Sequence, residues 1–223
     1  MDDSTVTGLL AELEALEDPK MRAINERHGD DHGVNLTRMR AIAKRLGKDQ
    51  DLALALWGTE GTAARLLALL VCKPRAFSAA DLDAMMRDGR RPKIQDWLIN
   101  YVVKKGPHAA ELRDLWFDDP DPWVAAAGWA LTWDRVVKSP EGLDLDALLD
   151  QVEREMKSAD SRLQWEMNST LAQIGITDPS RRERALAIGE TLEVLKDYPT
   201  PPNCTSPYAP LWIAEMVRRS EGS

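Results

Sequence analysis

Two cysteines, two phenylalanines and three histidines are all that 223 residues contain of these types, and each shortage closes off a class of protein. Cys72 and Cys204 are too few and too far apart for a disulfide-stapled scaffold, and read as thiols of a reducing compartment. His28, His32 and His108 form no Cys/His cluster, so no metal site is expected. No run approaches the roughly 18 apolar residues of a membrane helix, and the start MDDSTVTGLL is acidic where a secretory signal is basic. A cytoplasmic location without a membrane partner is the expectation. There is also no glycine-rich phosphate loop, no GxSxG elbow and no HExxH pair.

What is present is a composition of 43% hydrophobic and 30% charged residues, ordinary for a globular chain that buries about 70% of its unfolded surface. A net charge of −8 argues against nucleic acid, but its distribution reverses the argument. Residues 38–105 carry 14 basic side chains against 7 acidic ones, while the remainder carries 15 against 30. Such asymmetry hints at a side that meets a polyanion, the alternative being a solvated helix surface with uneven charge.

The apolar spacing is helical almost throughout. Leu36, Met39, Ile42 and Leu46 fall on one face of NLTRMRAIAKRL, with Asn35 placed to cap its start and Gly47 to end it. Ser78 with Asp81, and Ser161 with Gln164, have capping-box spacing; Asp121-Pro122 and Asp178-Pro179 each put a capping acid before a first-turn proline. The pattern predicts helices near 5–17, 20–28, 36–46, 50–57, 60–72, 79–87, 92–105, 108–117, 122–137, 143–157, 161–174, 179–195 and 208–219. Short loops between them suggest an all-α bundle or an α-solenoid of antiparallel helix pairs in a single domain over 1–223. KDYPTPPNCTSPYAP, with its prolines, is instead an extended strap over 196–210, before the last helix.

Eight tryptophans are many for this length, and three of them, Trp123, Trp129 and Trp133, fall within eleven positions. Trp129 and Trp133 share a helix face while Trp123 lies well round the cylinder, so one stripe cannot bury all three. A tryptophan face holds a cation or a base, and equally fills a core.

GVNLTRMRAIAKRLGKDQDLALALW with ARLLALL, AGWAL at 127–131 and CTSPYAPLWI at 204–213 are similar to the AlkD-like DNA alkylation repair family. That resemblance implies a solenoid of HEAT-like helix pairs, about a dozen helices, with a concave basic face for double-stranded DNA, alkylated or not. It implies, for active members, hydrolysis of the N-glycosidic bond of cationic N3- or N7-alkylpurines without metal or cofactor. A carboxylate there stabilises charge growing on the sugar while tryptophan faces hold the lesion. The expected phosphate contacts are Arg38, Arg40, Lys44, Arg45, Arg65, Arg90, Arg91, Lys93, Asn100, Lys104 and Lys105. Trp97 and Trp129 are the lesion-facing candidates, with Trp133 assigned to the core and Trp123 to a helix-start contact. A monomer is expected.

The chain departs from the pattern at the chemistry. Active members carry Trp-Asp-x-x-Asp; here QDWLINYVVKK puts Leu98 and Tyr101 in the acids' places, leaving Asp96, about 100° round the helix, as the nearest carboxylate. Ala125 and Thr132 stand where the GWAL helix is usually basic, and Ala63 where a glutamate often precedes the arginine matched by Arg65. Excision therefore depends on Asp96 in a displaced role, and the alternative is a non-catalytic HEAT-like scaffold for a protein or a structured nucleic acid.

Overall fold

The computed structural model describes residues 3–221, and among these every regular element is helical apart from one isolated bridge between Glu17 and Val34. The helices are α1 (Asp3–Ala15), α2 (Pro19–Glu26), α3 (Leu36–Leu46), α4 (Gln50–Trp57), α5 (Thr62–Val71), α6 (Ala79–Asp88), α7 (Pro92–Trp97), α8 (Ala109–Trp116), α9 (Pro122–Lys138), α10 (Leu145–Glu155), α11 (Ser161–Thr177), α12 (Arg182–Leu192) and α13 (Ala209–Glu221). The single domain expected over 1–223 is refined into two compact units, meeting in sequence at Ala109/Ala110.

Local chemistry sets most helix ends. The Asn35 side chain accepts from the Thr37 and Arg38 amides, and Gly47, at φ 72°, stops α3. Ser78 and Asp81 form the reciprocal capping box of α6, and Asp121 caps α9 ahead of Pro122. Two expected starts shift. Asp160, not Ser161, caps α11, while Gln164 reaches back to the carbonyls of Met156 and Lys157. Asp178 and Pro179 belong to a turn, and α12 begins at Arg182 because Asp178 is held by Ser180 and Arg181. The helix expected over 92–105 is also broken: α7 ends at Trp97, a π-helical segment runs Leu98–Val102, and a 3-10 turn Val103–Lys105 follows. A π segment is rare and concentrates at functional positions.

In the first unit α5 is apolar nearly all round and is the helix on which α3, α4 and α7 pack. The turn over 29–34 is gripped from several sides. The Gly33 amide donates to the Glu17 carboxylate (2.8 Å), Arg22 Nη1 to the Asp31 carbonyl (2.5 Å), Asn25 to the His32 carbonyl (2.7 Å), and the Lys93 amide to Asp30 Oδ1 (3.0 Å). A Cβ at Gly33 would lie 2.5 Å from the Asp18 carbonyl oxygen, so only glycine lets the chain pass. This turn orients α3, which follows it, and α7, whose second residue Asp30 caps.

In the second unit α9 and α11 form the most extensive helix pair, and Trp129, Leu149, Val152, Met167, Leu171 and Ile174 build the core. The proline-rich stretch runs without helix from Glu193 to Tyr208. It is pinned where Asn168 Nδ2 donates to the Pro207 carbonyl (2.8 Å) and where Tyr208 buries its ring. Both cysteines are free thiols; burial pushes Cys72 up to about 11, while Cys204 is exposed. Among the described residues no helix is long and apolar enough to cross a membrane.

Candidate nucleic-acid interface

The exposed side of α3 is a row of cations, because its apolar residues Met39 and Ile42 turn inward onto α5. Arg38, Arg40, Lys44 and Arg45 all stand out to solvent. Arg40 and Lys44 lie four residues apart on α3 and stack along one edge, roughly 6 Å from each other, and Lys48 follows just past the Gly47 stop. With Ala43, Gly47 and Leu70 they line a depression of about 320 Å³. Lys48 is fixed there by donating to the Leu70 carbonyl (2.9 Å), whereas among the described residues Arg38 and Lys44 make no ion pair or side-chain hydrogen bond.

At the other edge of that row stands Trp97. Its ring is T-shaped against Tyr101, with centroids 5.2 Å apart and planes at 68°. The Arg40 guanidinium lies over the Trp97 ring, 5.0 Å from its centroid, and Arg40 Nη2 donates to the Tyr101 hydroxyl (3.3 Å). So covered, Trp97 is only 6% exposed. Asn100 Nδ2 donates back to the Asp96 carbonyl (2.8 Å) and its Oδ1 accepts from Lys104 Nζ (3.1 Å), a four-residue ladder beside the aromatic pair. Leu98, in the place of the first expected acid, is fully buried, and Tyr101 in the second is half-buried. Asp96 is half-buried on the same turn as Trp97.

Several of the expected phosphate contacts have other work. Arg65 is 7% exposed: its guanidinium pairs with Asp88 (2.6 Å), donates to the Trp57 carbonyl (3.3 Å) and lies 4.8 Å from the Trp57 ring centroid. It is a tie between α4, α5 and α6, held inside because a buried guanidinium must satisfy its donors on nearby carbonyls and a carboxylate. Arg45 pairs with Glu12 (2.5 Å) and Arg91 with Asp31 (2.7 Å). Lys93 uses its backbone amide on Asp30 and keeps a half-buried side chain; Arg90 and Lys105 are exposed.

Trp129 does not face outward. It is 1% exposed and stacked on Phe117, centroids 4.8 Å apart with planes at 27°. The cause is Gly128: a Cβ there would lie 2.6 Å from the Phe117 backbone, so glycine alone lets α9 close on the end of α8 and drive Trp129 into the core. Trp133, assigned to the core, is instead half-exposed and donates from Nε1 to Glu166 (3.1 Å). Trp123 sits at the start of α9 beneath the Arg162 guanidinium, 5.3 Å from its centroid. Beside Thr132 stands Arg113, which sequence reasoning passed over and which pairs with Asp114 (2.7 Å). Arg113 Nε donates to the Thr132 hydroxyl (3.0 Å), and its guanidinium lies over Phe117 at 4.8 Å. Tyr101 and Lys48 were likewise not counted among the site residues: Lys48 stood only as one of the cations of 38–105, and Tyr101 was noted only for the acid it replaces.

The model of the DNA alkylation repair enzyme family matches residues 9–213. The chain belongs to this family. A solved structure described as "a new family of proteins related to the HEAT-like repeat DNA glycosylases with affinity for branched DNA structures" superimposes with a TM-score of 0.77 at 23% identity, covering 99% of this chain and 95% of that one. No curated protein matches significantly. The fold of this family member is therefore the all-α, HEAT-like solenoid class expected from its sequence. In this family member the Trp97 ring is covered by the chain's own Arg40, and Leu98 and Tyr101 follow it in sequence.

Proposed function

We propose that this family member binds DNA through the cationic edge of α3 and the Trp97 region, prefers branched forms over linear duplex, and does not excise alkylated bases. The observation that carries the reading is the Arg40 guanidinium lying on Trp97 with Leu98 and Tyr101 beside it. Cleavage of a glycosidic bond to a cationic purine needs a carboxylate near the charge that develops on the sugar. A buried leucine and a phenol supply none. While Arg40 lies on the ring, its guanidinium also repels a cationic base, by about 1 kcal/mol at 4 Å in water and about 4 kcal/mol at the surface of a protein.

DNA binding itself rests on Arg38, Lys44 and Lys105, exposed cations without an ion pair, and on the depression that Arg40, Lys44 and Lys48 line. The branched preference is taken from the affinity described for the similar structure. The test is a salt titration of binding to a four-way junction and to a duplex of equal length. The junction is expected to bind more tightly, the affinity to fall steeply with salt, and Lys44→Ala to lower the log–log slope by about 1. No binding at about 50 mM salt refutes the proposal. Release of 7-methylguanine or 3-methyladenine from alkylated DNA, lost in Asp96→Asn, refutes its non-excising half.

A further inference from the structure

Resting on that reading, we propose that Arg40 is a gate: in the DNA-free protein it covers Trp97, and a phosphate entering the Lys44–Lys48 depression draws it off, opening the Trp97 face to stack one unpaired base. Arg40 belongs to both places at once. Its side chain lines the depression with Lys44 and Lys48, and its guanidinium lies on Trp97. The slot it fills is the right shape for a base. Tyr101 meets Trp97 at a steep 68° and so is not stacked flat on it, and what lies over the ring now is a planar guanidinium. A nucleobase is planar as well, and every base has a face to stack.

The contacts that hold the gate shut are weak. Arg40 is exposed, its bond to Tyr101 is long at 3.3 Å, and a cation–π contact made by an exposed cation is worth little. A phosphate offers the same guanidinium a charge-assisted, two-pronged partner. The place for that phosphate is prepared: Lys44 is unpaired, Lys48 is anchored on Leu70, and the missing side chain of Gly47 leaves open space on the depression side, where a Cβ would meet nothing within 4 Å. The three cations gather at one depression and track a single strand. A strand running along them carries its base towards Trp97, and only a base already freed from pairing, as at a branch point, reaches it without an unpairing cost.

The experiment uses the full chain and a three-way junction carrying 2-aminopurine either unpaired at the branch or paired in an arm. The wild type is expected to quench the unpaired probe and leave the paired one unchanged. Trp97→Leu and Tyr101→Leu lose the quenching and bind the unpaired-base junction about tenfold more weakly, a larger loss than either shows on duplex. Tyr101 is half-buried, so its variant keeps the test valid if Trp97→Leu does not fold. Arg40→Ala keeps the quenching, because the face is then permanently open, and gains acrylamide quenching of intrinsic tryptophan fluorescence without DNA. Lys44→Ala/Lys48→Ala loses the quenching at DNA concentrations that still saturate the protein. If the junction binds in a Lys44-dependent way and the unpaired probe does not respond, the gate is refuted while DNA binding stands; if no DNA binds, both fall. Quenching lost in Arg40→Ala also overturns the gate, since it makes Arg40 a support of the stack rather than its cover.

Discussion

Replacing Arg65 with methionine separates an arginine that holds the fold from one that meets DNA. The side chain is 7% exposed and its guanidinium pairs with Asp88 at 2.6 Å over the Trp57 ring. Methionine keeps much of the stem's volume, so the loss is confined to the head group. A hydrogen bond to a charged group contributes about 1.5–3 kcal/mol and a largely desolvated cation–π contact about 1–2 kcal/mol. Asp88 is 52% exposed and returns to water when its partner goes, so no stranded buried charge adds to the loss. The expected destabilisation is about 3 kcal/mol, a fall in melting temperature of roughly 6–12 °C for a chain of this size. Junction affinity, measured well below the new melting point, is expected to stay within about twofold of wild type. Arg40→Ala gives the opposite pattern, with less than about 1 kcal/mol of stability lost. Arg65→Met that melts like wild type and loses DNA affinity would refute the assignment and put Arg65 back on the interface.

Two further outcomes test the frame around the site. Gly128→Ala places a Cβ 2.6 Å from the Phe117 backbone; the overpacking of about 1–3 kcal/mol outweighs the helix propensity gained by alanine, so the denaturant midpoint falls, and a midpoint at or above wild type contradicts the close approach. His32 is 2% exposed, and burial holds its pKa below 6.5 against the raising effects of Asp30, Glu17 and Asp31, with Lys93 acting alongside burial. The unfolded chain therefore takes up a proton that the folded chain refuses, and stability is lost as pH falls through and below 6.5. Asp30, raised by burial, acts in the other direction: its cost to stability is present above pH 3.8 and is relieved in more acid solution. Melting curves of wild type and His32→Gln are expected to converge as the pH drops below 6.5, and parallel curves would show that His32 does not titrate differently on folding.

By itself the sequence determined where most helices begin and end, because the groups responsible sit within three residues of one another: Asn35 with Arg38, Ser78 with Asp81, Asp121 with Trp123. It determined that positive charge gathers in residues 38–105 and that Leu98 and Tyr101 follow Trp97. Only the tertiary structure decided which of those charges are available. Arg45 is answered by Glu12 across 33 residues, Arg91 by Asp31 across 60, and Arg40 reaches Tyr101 across 61. Such pairings are made by packing, and no local pattern encodes them. The same holds for Trp129: its spacing allowed a surface ring or a core ring, and the bare Cα of Gly128 against Phe117 made it core. A cap is a property of one turn of helix; the availability of a cation or an aromatic face is a property of whatever the rest of the chain folds against it.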